Sequence, residues 1–383
     1  MSSAPSSGQR VLLHVGLPKT GTTYLQDILA GHREALLAAG VSYPLEHPAL
    51  MFHAAVEVRG SQEKFGLPTD RTAGAWAQLC AQARAHPGTT VISHEILGGA
   101  EPEEIDRALA GLGGQPVDVV ITARDLARQA TAHWQEEIKL GDTRSFAEFE
   151  RDQFRADTAP GDPDRPHFWH AQDYRAALAR WAAADRVRSA ALVVCPPAGS
   201  HPRVLWERFA AALGVPAQIV AEGTETAANR SLGVAQIALL REVNTALGDR
   251  LDRAARQRVV KRYFAEQVLG SFQGAAPQAP AALQDRFRVV TESWLQEIES
   301  GGYPVYGELA ELIPHGPPPG RRHPDNVAPG EVAEAAGDAL ADLLVRVAEL
   351  QPAAAPGPAA PPAAHRTEAR PSRWFGRRAG RSG

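Results

Sequence analysis

Val11-Leu12-Leu13-His14-Val15-Gly16-Leu17-Pro18-Lys19-Thr20-Gly21-Thr22-Thr23 is the stretch that decides the fold of this 383-residue chain. Its first five residues are a short, largely apolar run that stops at Gly16, the pattern of a strand buried on both faces. Past the glycines the period changes. Tyr24, Leu25, Ile28 and Leu29, then Leu36 and Leu37, fall at helical spacing, and Gly40 supplies a stop, so the spacing predicts a helix over residues 22–37. Strand, glycine-bearing loop and helix in that order turn backbone N–H groups and a helix N-terminus towards one point, the geometry of an anion site.

The alternation continues down the chain. Short apolar runs at residues 90–93, 117–122 and 190–195 read as further strands, with helical patterns over 72–85, 126–140 and 171–184 among them. Short buried strands alternating with helices predict an α/β fold of three layers, αβα, around a central parallel sheet. Residues 232–269 are mostly helical in pattern, and 285–300 give one more helix. Residues 1–9 read as a flexible N-terminus and 10–314 as one domain. Composition then shifts. Residues 315–330 are a Pro/Gly linker, and 331–350 a candidate amphipathic helix striped by Leu340, Leu343, Leu344 and Val347. Residues 351–383 read as a disordered Ala/Pro tail, basic at its end around Trp374-Phe375.

Against the pattern G-x-x-x-x-G-K-[ST] of nucleotide-binding loops, Gly16, Gly21 and Thr23 match. Thr22 stands where that pattern has lysine, and the lysine has moved to Lys19. Lysine occurs only at Lys19, Lys64, Lys139 and Lys261, with arginine serving for nearly every other cation, so a lysine inside a glycine loop is not random composition. The octet Gly16 to Thr23, following His14-Val15, closely resembles the 5′-phosphosulfate-binding motif of sulfotransferases that use 3′-phosphoadenosine 5′-phosphosulfate (PAPS). The resemblance implies a P-loop-type αβα fold and PAPS as co-substrate, with no metal required. It further implies a donor site built from Gly16, Pro18, Lys19, Thr20, Gly21, Thr22 and Thr23. Lys19 would lie against the bridging oxygen of the donor and stabilise charge on the departing phosphate.

A second motif extends the resemblance. The apolar strand through Ile121-Thr122-Ala123 leads into Arg124, and in that family an arginine at this strand end binds the 3′-phosphate of PAPS. A planar guanidinium suits a phosphate dianion. The family carries a serine eight residues on, where this chain departs with Ala132; the adjacent Thr131 could supply the hydroxyl, although one position on a helix turns a side chain by about 100°. Trp134-Gln135 is similar to a pair in bacterial members, and Trp134 reads equally well as core. Sulfuryl transfer needs in-line attack, a base for the acceptor proton and neutralisation of the leaving phosphate. The resemblance puts His94, just past the second strand, first as base, Glu95 second, and the Glu46-His47 pair or His53 third. Looser similarity at residues 229–232, 239–244, 292–295 and 306–309 carries it to about residue 314.

A net charge of -4 gives no electrostatic case for nucleic acid. Cys80 and Cys195, far apart, argue against a disulfide scaffold. The apolar runs are too short to span a bilayer, and the first ten residues lack the apolar centre of a signal peptide, so the expected location is cytoplasmic. The expected partner is a small-molecule or carbohydrate acceptor bearing a hydroxyl or amine, its pocket lined by segments 43–69 and 151–169 around a surface loop at 156–166. Weak membrane-surface contact of the basic tail is one alternative for that segment. Acceptor identity and oligomeric state carry no signal. Two other readings compete: a P-loop kinase or NTPase, with Asp125 as a magnesium-binding carboxylate, and a non-catalytic nucleotide-binding module.

Overall fold

Val11, Leu12, Leu13 and Val15 are wholly buried in the computed structural model of the chain, which describes residues 8–154, 164–221, 223, 231–316 and 320–350. The first three lie on β1 (Arg10–His14), an inner strand of a six-stranded sheet. The other strands are β2 (Val41–Ser42), β3 (Thr89–Ser93), β4 (Val117–Ala123), β5 (Val187–Val194) and β6 (Val305–Tyr306). They stand in the order β2-β3-β1-β4-β5-β6, and every pairing is parallel. Leu12 pairs with Val91 on one side and Asp118 on the other. All residues of β3 and β4 are buried, so both faces of the sheet are covered, and the runs are apolar for that reason rather than alternating. The fold is α/β around a central parallel sheet, as the alternation of runs predicts. The chain runs from β1 to β2 and β3 on one side, then crosses to β4 on the other. Ligands of open parallel sheets bind beyond the carboxyl ends of strands at such a reversal.

The principal helices are α1 (Thr22–Gly31), α2 (Leu50–Val58), α3 (Ala75–Ala85), α4 (Pro102–Gly111), α5 (Leu126–Lys139), α6 (Phe146–Phe154), α7 (His167–Gln172), α8 (Tyr174–Ala182), α9 (Arg203–Leu213), α10 (Val234–Leu247), α11 (Ala281–Gly301) and α12 (Pro329–Leu350). The helix expected over 22–37 breaks at His32, whose ring nitrogen Nδ1 hydrogen-bonds the Ile28 carbonyl at 3.0 Å, and resumes as Arg33–Ala38. The stretch 232–269 divides into α10 and a π-helical segment, Arg256–Val268. Residues 43–69, expected to line the acceptor pocket, contain α2, a helix of nine residues that are all buried except Phe52 and Glu57. Edge-to-face rings bind α6, α7 and α11 together: Phe154 lies 4.8 Å from Phe168 and 5.1 Å from Phe287.

By contacts the chain divides into a unit Met1–Leu340 and a second, Ala341–Gly383, whose described part is the end of α12. Ala335 and Ala339 of α12 are buried, while Leu340, Leu344 and Val347 are exposed. Most of the expected loop at 156–166, the tail at 351–383 and part of the segment 229–232 lie outside the described residues. Among the described residues no helix is long and apolar enough to cross a membrane, and both cysteines are buried free thiols.

Candidate functional site

The glycine loop leaves the carboxyl end of β1 with three residues at positive φ: Gly16 at 101°, Lys19 at 64° and Gly21 at 82°. Gly16 has no room for a side chain, since a Cβ there would stand 2.7 Å from Glu95 Cα. Gly21 is the N-cap of α1 in a left-handed conformation, with no side-chain cap, which leaves first-turn N–H groups without an intrahelical partner.

Four consecutive carbonyls of this loop each accept a side-chain hydrogen bond. Thr20 Oγ1 donates to the Leu17 oxygen. Gln129 and Gln172 donate to the Pro18 oxygen at 2.9 and 3.2 Å. Arg124 Nη1 donates to the Lys19 oxygen at 3.3 Å, and the Cys195 thiol to the Thr20 oxygen at 2.9 Å. In a trans peptide the N–H points opposite to its C=O. Each anchored carbonyl therefore leaves the following N–H, of Lys19, Thr20 and Gly21, pointing away from its donor, which is what an anion-binding nest requires. Thr20 and Thr22 are buried, and Thr20 Oγ1 also meets Thr122 Oγ1, so Thr23 is the exposed hydroxyl of the three.

Lys19 does not stand alone. Its ammonium pairs with Glu136 of α5, and Lys261 of the π-helical segment pairs at 2.5 Å with the other oxygen of the same carboxylate. Against the upward push of burial, these two lysines hold the Glu136 carboxyl down at about 2. Burial and then Lys19 lower Lys139 as well. Three of the four lysines at 19, 64, 139 and 261 thus converge around one carboxylate. Lysine scarcity, used for Lys19, would have singled out Lys139 and Lys261 too.

At the end of β4, burial with Arg128 and Arg321 nearby pushes the Arg124 guanidinium down to about 10. The buried Nε atoms of Arg124 and Arg128 have no hydrogen-bond partner among the described residues. Asp125 accepts the Arg128 backbone N–H at 2.9 Å as the cap of α5, and its second oxygen lies 3.5 Å from Arg128 Nη1. That carboxylate is spent on the helix start. A cavity of about 390 Å³ opens here, with Arg128, Arg321 and Thr131 on its wall. Thr131 is buried and donates its hydroxyl to the Arg128 carbonyl at 3.1 Å. Trp134 is core, its indole N–H donating to the Arg144 carbonyl at 3.0 Å.

His94 and Glu95 follow β3 and lie across the loop at Gly16. The His94 backbone N–H donates to the His14 oxygen at 3.0 Å, and Gln26 Nε2 reaches Glu95 Oε2 at 3.5 Å. His94 Nδ1 accepts the Ile96 backbone N–H at 3.2 Å, which puts the proton of the neutral ring on Nε2. Nε2 is then a donor. Burial lowers the His94 imidazole. Burial pushes the Glu95 carboxyl up, but His94, a backbone N–H, His14 and Lys19 together hold it below the usual carboxylate range. Of the third choices, Glu46 is taken by Gln78 and Gln82 on an exposed face, and His47 packs on His53 at 5.7 Å. Phe52 stands next to both His53 and His94, at 5.8 and 5.6 Å.

No family model matches the chain, and no curated protein matches it. One similarity among solved structures is to a sulfotransferase from Alicyclobacillus acidocaldarius. It covers 68% of this chain and 97% of that one, at 15% identity and a TM-score of 0.39. A TM-score that low carries no functional argument.

Proposed function

We propose that this chain transfers a sulfuryl group from PAPS to a hydroxyl or amine of an acceptor. The supporting observation is the loop Gly16 to Thr23, whose carbonyls at Pro18, Lys19 and Thr20 are taken by side-chain donors, which leaves the N–H groups that follow them to an anion beside Lys19. A kinase or NTPase reading has less support, because a buried Thr22 stands where its lysine belongs and Asp125 is committed to capping α5. The unpartnered Nε atoms of Arg124 and Arg128 suit a second phosphate better than the Thr131 hydroxyl, which is already donated.

In this reading the acceptor oxygen or nitrogen bonds to sulfur while the sulfur–oxygen bond to the 5′-phosphate breaks. The electron pair leaves on the phosphate oxygen, beside Lys19. The acceptor proton passes to Glu95, with His94 Nε2–H orienting the acceptor. Breaking the Lys19–Glu136 pair on donor entry costs little, since Lys261 stays on Glu136 and the phosphate replaces the carboxylate as partner of Lys19.

The test is a thermal-shift and calorimetric comparison on the full chain. Adenosine 3′,5′-bisphosphate is expected to bind and raise Tm, and ATP–Mg²⁺ to do neither. The opposite preference overturns the proposal. A PAPS-consumption screen over hydroxyl and amine acceptors, with Lys19→Ala as control, then separates an enzyme from a module that binds without transferring.

A further inference from the structure

We propose that His133, Glu137 and His167 form a binding site for one divalent transition-metal ion of the zinc class. His133 and Glu137 lie one turn apart on α5 and so share a face. His167 opens α7, which the ring cluster around Phe154 and Phe168 pins in place; Phe168 in turn lies 5.7 Å from the His133 ring.

The separations are those of metal ligands. His133 Nε2 stands 3.3 Å from Glu137 Oε1 and 3.3 Å from His167 Nδ1, and all three atoms lie within 4.8 Å of one another. A tetrahedral ion with bonds of roughly 2.0–2.1 Å has ligand-to-ligand edges of about 3.3–3.4 Å. Two edges are already at that length, and rotation of the exposed His167 ring closes the third.

The carboxylate ligand is oriented in advance. Arg144 Nη2 holds Glu137 Oε2 at 2.6 Å, leaving Oε1 to face the histidines, and Arg144 is fixed by Asp142 and Asp152. Lys64 Nζ lies 3.3 Å from His167 Nε2. With Nδ1 on an ion, Nε2 carries the ring proton, so this exposed lysine swings away. Two imidazoles and a carboxylate suit zinc and the neighbouring first-row ions. The exposed side of His167 leaves a fourth position to water. Sulfuryl transfer itself uses no metal, so the ion's effect is to tie α7 to the helix that presents Glu136 to Lys19.

Tag-free full-length protein, stripped with chelator and dialysed, should take up one Zn²⁺ per chain by calorimetry, with Co²⁺ giving the intense visible absorption of a four-coordinate site. His167→Ala and Glu137→Gln should each weaken Zn²⁺ binding at least tenfold, while His47→Ala, in the other histidine pair, should not. Zn²⁺ should raise Tm of the parent chain and leave that of His167→Ala unmoved. Absence of binding to the parent, or equal affinity in the His167→Ala and Glu137→Gln variants, overturns the proposal and leaves a plain hydrogen-bonded histidine pair. Binding of adenosine 3′,5′-bisphosphate, measured on the same samples, is independent of either result.

Discussion

Lys19 shares the Glu136 carboxylate with Lys261, so it can turn to an incoming anion without leaving that carboxylate unpaired. Lys19→Ala is expected to abolish PAPS-dependent transfer while leaving the unfolding midpoint nearly unchanged, because Lys261 still neutralises Glu136. Full activity in that variant would sink the donor-site reading. In the proposed reaction the base comes from the pair after β3. Glu95→Gln should lower kcat by about 10²-fold or more, the scale of a positioned acid–base group. His94→Ala should cost less, since its ring nitrogen Nδ1 is engaged by Ile96. If His94→Ala proves the more damaging, the imidazole takes the proton instead. Thermal midpoints of both variants separate loss of chemistry from loss of fold.

At the scale of elements, the loop depends on glycine where backbone meets backbone. Gly16→Ala places a methyl 2.7 Å from Glu95 Cα at a φ of 101°, with main chain on both sides unable to give way. It should cost about 1–3 kcal/mol as local strain and remove binding of adenosine 3′,5′-bisphosphate. Gly40→Ala, at a φ of 79° with open space around it, should cost about 1 kcal/mol and leave binding intact. Urea unfolding and calorimetry on the two variants check this, and equal binding would show that the loop tolerates displacement. The strand, loop and helix from Val11 onward were legible in the sequence because they are local and their periods differ. The edge strands Val41–Ser42 and Val305–Tyr306 were not, being too short to show any period. Nor was the assembly around Glu136, whose partners Lys19 and Lys261 lie more than a hundred residues away on either side, and which forms only by tertiary packing. Gln129 and Gln172, which hold the Pro18 carbonyl, carry no signal beyond ordinary polar composition.

Across the whole molecule, the centre of the sheet contains one group whose charge the fold excludes. His14 is fully buried on β1, its ring between Ser93 Oγ of β3 at 2.8 Å and Thr122 Oγ1 of β4 at 3.3 Å. Burial pushes its imidazole from 6.5 down to about 4. Between those two values the unfolded chain binds a proton that the folded chain refuses, so stability rises with pH there. The contribution is complete above pH 6.5 and is lost on acidification towards pH 4, by about 3 kcal/mol at that end. His14→Gln keeps a polar group between the two hydroxyls and removes the titration. Urea unfolding at pH 7 and pH 4 should therefore show the parent chain losing about 3 kcal/mol more than His14→Gln, every other titrating group being common to both. Equal losses would mean that the sheet admits a charged ring or that another group accepts the proton. Because β1 joins the two halves of the sheet and leads straight into the glycine loop, loss of ligand binding on acidification should coincide with the unfolding transition rather than precede it.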